Sequence, residues 1–197
     1  MKPVYHVYTR SSVDFSGVPK AEISHYKWEE GYAPKAFAQL IYVEDLGFAL
    51  HMEAEETDPK AVYTVYNQDV YKDSCMEFFV NFNPAQNKYI NFEMNSNGAF
   101  LSALRADRHD KTPIHQLLAD LPAVRAEKKA DVWTVDAFFT LGQIETLFAK
   151  ASSKKATNSA ETSTNAATKR RSRTMECGRP LNWKSPIFIS PRSSERS

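Results

Sequence analysis

Residues 70–104, VYKDSCMEFFVNFNPAQNKYINFEMNSNGAFLSAL, decide the fold class of this 197-residue chain. In their middle, Tyr89, Asn91, Glu93 and Asn95 share one parity and Ile90, Phe92 and Met94 the other. A β-strand points alternate side chains to opposite faces, so this segment predicts a strand with one apolar face for a core and one face of amides and a carboxylate. Such a polar row can hydrogen-bond a hydroxyl-rich ligand. Ser96-Asn97-Gly98 tolerates positive φ, and residues 99–105 are therefore expected to return antiparallel as a hairpin partner.

Outward from this stretch, short strands recur. Residues 36–42 and 47–54 flank Glu44-Asp45-Leu46-Gly47 and read as a hairpin, with Phe37, Leu40, Ile41, Phe48, Leu50 and Met52 supplying apolar faces. Residues 61–66 and 76–82 are rich in Val, Tyr and Phe, as strands prefer, and Asn83-Pro84-Ala85-Gln86-Asn87 marks a loop. Residues 124–128 and 132–139 read as two more strands, and residues 4–8 as a weak first one, followed by a loop over residues 11–20. Ile114, Leu117, Leu118 and Leu121 recur at helical spacing before Pro122, and residues 143–149 suggest a last short helix. Many short strands with one or two short helices predict an all-β protein, an antiparallel β-sandwich of about ten strands.

Length and composition bound the rest. A chain this long with 42% hydrophobic residues can bury one substantial core. The net charge of +1 hides two compositions: residues 1–150 hold 15 Lys/Arg against 21 Asp/Glu, and residues 151–197 hold 10 against 3. An acidic body repels polyphosphate, so nucleic acid is not expected as a partner. Cys75 and Cys177, the two cysteines, give neither a disulfide framework nor a metal-knuckle spacing. No apolar run reads as a signal peptide or a membrane span, and the expectation is a cytoplasmic protein, as encoded, with no membrane partner. A single domain is expected, a C-terminally incomplete sandwich over residues 1–150, followed by a basic low-complexity tail over residues 151–197. The tail has 15 Ser/Thr residues in 47 and a Lys169-Arg170-Arg171 cluster, a composition that cannot bury a core and predicts disorder.

Asp73-Ser74-Cys75-Met76-Glu77-Phe78-Phe79, followed by Tyr89-Ile90-Asn91-Phe92-Glu93-Met94-Asn95-Ser96-Asn97-Gly98, resembles the family 9 carbohydrate-binding modules and family-9-like domains. Trp28, the strands of residues 36–54, and Trp133 with Val135 also sit where that family has an early tryptophan and late strands, so the resemblance covers about residues 20–150. It implies a jelly-roll-like β-sandwich and non-catalytic binding of a mono- or oligosaccharide, in modules that usually accompany secreted enzymes of polysaccharide breakdown. In that family a sugar lies between two aromatic rings while carboxylates and amides bond its hydroxyls. Carried over residue by residue, the acidic contact falls on Glu77 within the Asp73-Ser74 motif, and the strand contacts on Asn91 and Glu93. The family's first stacking ring precedes the Asp-Ser pair, where Tyr71 is the candidate here. Tyr71, Asp73, Glu77, Asn91 and Glu93 are thus the expected carbohydrate-binding residues.

The second stacking tryptophan belongs to the family's closing strands, which this chain does not show in its own frame. When each codon's third base is joined to the first two of the next, residues 164–168 permit Lys-Cys-Gly-Asp and residues 172–178 permit Pro-His-Tyr-Gly-Val-Trp. Residues 186–195 then permit Asp-Ile-His-Leu-Pro-Glu-Lys-Phe-Gly without a gap. These strings resemble the closing segment of family-9-like domains. They imply a frameshift near Ala151, with loss of the last strands, of one wall of the sugar site and of part of the binding strength.

Other function classes have thinner support. A glycosidase, hydrolysing O-glycosyl bonds, would need two carboxyl groups flanking the bond, and Asp73, Glu77 and Glu93 are the candidates, though nothing in the sequence singles out an acid of raised pKa. Glu53, Glu55, Glu56 and Asp58 could face Ca²⁺ but lack a calcium-loop spacing. Haem would rest on His51-Met52 alone. No cofactor or metal is expected, Trp28 and Trp133 are assigned to packing, and Cys75 to the core. The sequence gives no oligomeric state.

Overall fold

The computed structural model describes residues 5–24 and 33–149, and residues 187–190 as backbone. Its strands are β1 (Tyr8–Arg10), β2 (Ala21–Ile23), β3 (Ala36–Val43), β4 (Gly47–Glu55), β5 (Cys75–Val80), β6 (Tyr89–Asn95), β7 (Phe100–Arg105), β8 (Lys111–Pro113), β9 (Ala123–Lys128), β10 (Val132–Thr140) and β11 (Ile187–Ser190), with one helix α1 (Leu141–Leu147). They form two sheets. The first runs β1-β3-β4-β10-β9, with β2 also paired to β3, and the second runs β11-β5-β6-β7-β8. Every pairing is antiparallel except β1 with β3. The β-sandwich expected from strand spacing is the observed architecture.

Period-two patterning explains the two-layer packing. Met76, Phe78 and Val80 of β5 and Ile90, Phe92 and Met94 of β6 are fully buried. They meet Leu50 and Met52 of β4 and Trp133, Val135, Ala137 and Phe139 of β10 in one core. Phe92 stacks on Phe100 at 4.9 Å and meets Phe139 edge-on at 5.1 Å. Burying each such side chain contributes about 1.5–3 kcal/mol, and the same alternation turns Glu77, Asn91 and Glu93 to the opposite face of the second sheet. Trp133 is buried and its Nε1 donates to Glu56 Oε2 at 3.0 Å, as its packing role requires. Trp28 lies outside the described residues.

The hairpin of β3 and β4 pairs Val43 with Gly47, and its turn holds Asp45 at φ 59° and Gly47 at φ 150°. Gly47 is needed for a second reason: a Cβ there would lie 2.0 Å from the Phe139 carbonyl oxygen of the neighbouring β10. The helix α1 begins with a capping box, in which Thr140 Oγ1 accepts from Gln143 N and the Gln143 side chain accepts from Thr140 N.

Several expectations were wrong. Residues 61–66 are irregular, not a strand, because side chains take over the backbone partners that a ladder would have used. Val62 N and Tyr63 N donate to Asp73 Oδ2, Thr64 N and Val65 N donate to Gln68 Oε1, and Tyr63 O accepts from Asn95 and Asn97. The helical spacing at residues 114–121 yields only a single 3₁₀ turn, Ile114–Gln116, which buries Ile114 and Leu118 against the core and leaves Leu117 exposed. Residues 70–72 likewise form a 3₁₀ turn ahead of β5. The first strand starts at Tyr8, at the end of the expected span. The expectation of disorder over residues 151–197 falls outside the described residues apart from β11, whose backbone pairs antiparallel with β5, Phe188 opposite Glu77. No helix among the described residues is long and apolar enough to cross a membrane.

Candidate functional site

The candidate site is the outer face of the second sheet, and the loop before β5 builds one end of it. Asp73, fully buried, gathers Val62 N, Tyr63 N and Asn95 Nδ2 on its Oδ2 at 2.9–3.0 Å. Asn95 Oδ1 in turn accepts from Asn97 N and Ala99 N, which closes the β6–β7 turn. A carboxylate accepting several such bonds holds the loop to the strand ends more firmly than neutral partners would. Val70, Cys75 and Ala99, with Tyr63 and Leu101, pack as a small apolar cluster beneath the loop and seal that end. Burial and the neighbouring Glu93 and Glu77 charges push the Cys75 thiol far up, so it is an inert part of this packing.

Beyond the seal the face is polar. Register sets Glu77 of β5 directly opposite Glu93 of β6, Phe79 opposite Asn91, Glu93 beside Leu101, Asn91 beside Ala103, and Tyr89 beside Arg105. Asn91 and Glu93 are 6% and 7% exposed, and Asn91 Nδ2 donates to Glu93 Oε1 at 3.0 Å. Glu93 Oε2 and Arg105 Nε are buried and have no hydrogen-bond partner among the described residues. Native chains seldom leave such groups unpaired without a functional reason. Burial pushes Glu77 up to about 7, with Arg105 pulling the other way. Burial, and then the charge of Glu77, push Glu93 up to about 8, against Arg105 and Lys111. Near neutral pH this carboxyl pair can both accept and donate hydrogen bonds.

Tyr71 sits at the rim, 40% exposed, with the Lys72 ammonium 5.7 Å from its ring centroid. Burial first and the Asp69 carboxylate next raise its phenol, and Glu93 adds to the rise, which puts Tyr71 within electrostatic reach of the polar row. Of the five residues expected from sequence, the fold gathers Tyr71, Glu77, Asn91 and Glu93 at one face. Asp73 is also adjacent, but its carboxylate works inside the loop anchor and is not presented at the surface. Sequence reasoning set Tyr89 on the parity of this face but did not place Arg105, Lys111 or Phe79 beside it. The hairpin register implied by Ser96-Asn97-Gly98 would have set Arg105 opposite Tyr89 and could have found it.

The other candidate chemistries disperse. Glu53 pairs with Lys20 and lies near His51, Glu55 pairs with Lys35, and Glu56 accepts from Trp133 and Ser74. Among the described residues no three His, Cys, Asp or Glu side chains group as a metal site. His51 Nδ1 lies 2.6 Å from Asp136 Oδ1 on the outer face of the first sheet, whereas Met52 is in the core, so the two cannot bind one haem together. A shallow groove near His51, lined by Phe15, Ala49, Ala123 and Phe138, is apolar and lies across the sandwich from the polar row.

A sequence profile of carbohydrate-binding family 9 matches residues 8–138. Two solved structures are similar, each at 16% identity. One is described as a candidate carbohydrate-binding protein from Bacteroides uniformis, with TM-score 0.57, covering 70% of this chain and 72% of that one. The other is a carbohydrate-binding module of family 9 from Caldicellulosiruptor kristjanssonii in complex with glucose, with TM-score 0.46, covering 71% and 69%. No curated protein matches the chain.

Proposed function

The chain belongs to carbohydrate-binding family 9, and from that premise we propose that it binds a mono- or oligosaccharide, without catalysis, on the outer face of the second sheet. Glu77, Asn91 and Glu93 bond the hydroxyls, Arg105 adds donors, and Tyr71 offers a ring at the rim. The observation that carries this reading is that two of the four buried side-chain atoms without a hydrogen-bond partner among the described residues, Glu93 Oε2 and Arg105 Nε, lie on one polar face, the others being Asp73 Oδ1 and Ser96 Oγ. A sugar supplies both kinds of partner, since each hydroxyl donates and accepts, and its C–H face suits an aromatic ring. Calorimetric titration with glucose, xylose and mannose tests it. Saturable binding to at least one is expected, and Asn91→Ala should weaken it about tenfold by leaving hydroxyls unpaired. No heat and no NMR shift with any of them would sink the reading.

The paired carboxyls also favour a second reading. A raised acid opposite a second carboxyl is what glycoside hydrolysis uses, and the fold supplies Glu93 and Glu77 in that relation. Reducing ends released from oligosaccharides, and abolished by Glu93→Gln, would establish this enzyme reading over simple binding.

A further inference from the structure

We propose that the ligand of this face is an acidic sugar, whose carboxylate is held between Arg105 and Lys111 while its hydroxyls meet Asn91 and Glu93. This rests on the sugar-binding reading above and names the class of sugar. Arg105 ends β7 and Lys111 begins β8, and the antiparallel register sets the two directly opposite each other. Like charges directly opposite on neighbouring strands are destabilising, so this pair costs stability wherever no anion lies between them. The described residues supply none, since their ion pairs all fall on other side chains. Arg105 Nη1 donates to Arg108 O at 3.1 Å, and Arg105 Nε is buried without a partner. Arg108 brings a third cation to the same turn. Asp107 and Asp110 are the acids of that turn, and Asp107 Oδ1 accepts from His109 N and Asp110 N. Over residues 1–150 acids outnumber bases 21 to 15, so a group of cations outside every ion pair runs against the composition around it.

The position of the pair on the sheet suits one sugar ring. Asn91 lies opposite Ala103 and Tyr89 opposite Arg105, so Arg105 is one same-face step, about 7 Å, further along the strands than the Asn91 amide. One unit can therefore offer hydroxyls to Asn91 and Glu93 and a carboxylate on its ring substituent to Arg105. The cations act over this distance, since Arg105 opposes the rise of both Glu77 and Glu93, and Lys111 that of Glu93. The two carboxyls do not neutralise them in return, because burial holds Glu77 at about 7 and Glu93 at about 8. A protonated carboxyl donates to an anionic ligand where an ionised one would repel it. The planar guanidinium of Arg105 matches a carboxylate in shape, and the exposed Lys111 ammonium adds a compact charge beside it. A neutral sugar can satisfy Arg105 Nε but leaves the repulsion between Arg105 and Lys111 in place. A carboxylate removes it.

Calorimetry on the full chain at about pH 6, where Glu77 and Glu93 hold their protons, compares glucuronate with glucose and mannuronate with mannose. At least one acid should bind about tenfold more tightly than its neutral counterpart, as a charge-assisted hydrogen bond exceeds a neutral one. Glucuronamide keeps the shape without the charge, and on the unsubstituted chain, which needs no variant to fold, it should bind no better than glucose. Arg105→Gln should bring the ratio of acid to neutral sugar near one, and Lys111→Gln should lower it. Acetate should bind far more weakly than the acidic sugar. Equal affinity for acid and neutral sugar, an amide as good as its acid, or a preference that survives both substitutions would overturn the inference and leave sugar binding standing. Acetate bound as tightly as the acidic sugar would reveal an anion site without sugar recognition and overturn it as well. Failure of every sugar, neutral and acidic, to bind would overturn the underlying reading and the inference with it.

Discussion

Two carboxyl groups define the chemistry at the scale of single residues. Glu77 and Glu93 sit opposite each other, raised to about 7 and about 8, with Arg105 and Lys111 opposing the rise and Asp69 adding to that of Glu93. In the unfolded chain both titrate near 4.3. Between these values the native chain keeps protons that the unfolded chain has lost, so stability falls as pH rises from about 4.5 to about 8, by up to roughly 1.4 kcal/mol per pH unit for each proton. The unfolding temperature should therefore decline between about pH 5 and pH 8, and Glu93→Gln should flatten the decline and unfold later at the alkaline end. An unfolding temperature that climbs across that window would refute the buried pair. Asp73 has the reverse duty, since its Oδ2 satisfies three donors from the loop and strand end. Asp73→Ala leaves them unpaired and should cost about 3 kcal/mol in urea denaturation, with faster amide exchange at Val62 and Tyr63. The identities Glu77, Asn91 and Glu93 were legible through alternation and family resemblance. That Asp73 turns inward was not, because its partners at Val62 and Asn95 come from segments 11 and 22 residues away that only the fold brings together.

Turn chemistry and register govern the elements. The β3–β4 hairpin was readable from its apolar runs and Gly47, but the stronger constraint on Gly47 comes from β10. A Cβ would strike the Phe139 carbonyl, and φ of 150° is itself unfavourable for any other residue. Gly47→Ala should therefore lower stability by at least about 2 kcal/mol, with the loss seen in denaturant midpoints and in faster exchange along β10. At this same end of β10, Thr140→Ala removes the capping box and should cost about 1 kcal/mol, a shift small enough to leave the sandwich intact in circular dichroism. Residues 61–66 show why propensity misled: their Val and Tyr content favours a strand, yet Asp73, Gln68, Asn95 and Asn97 satisfy the backbone and hold it as an irregular wall. Spacing at residues 114–121 misled for a related reason. A short segment gains little from helix formation alone, and burying Ile114 and Leu118 needs only one turn.

Across the whole molecule, the two sheets close over one core while the second sheet presents its polar face outward. The β5 edge is paired by β11, Ile187–Ser190, from the segment whose reading frame is in question. Main-chain bonding is tolerant of sequence, so that edge does not depend on one particular strand. The coding DNA of residues 151–197, read one base out of phase, is expected to specify Lys-Cys-Gly-Asp, Pro-His-Tyr-Gly-Val-Trp and Asp-Ile-His-Leu-Pro-Glu-Lys-Phe-Gly. Nucleotide sequencing checks this directly, and codons that cannot encode those strings would end the proposal. Where they do, the chain restored to that frame should unfold at a higher temperature and bind sugar more tightly than the chain as given. Sequence by itself determined the β-sandwich class, the polar parity of β6 and the family, because alternation and a local motif are written in neighbouring residues. Tertiary structure alone decided that Glu77 and Glu93 face each other in burial, that Arg105 joins them, and that Asp73 serves the loop, because burial and cross-strand register are set by distant segments packing together.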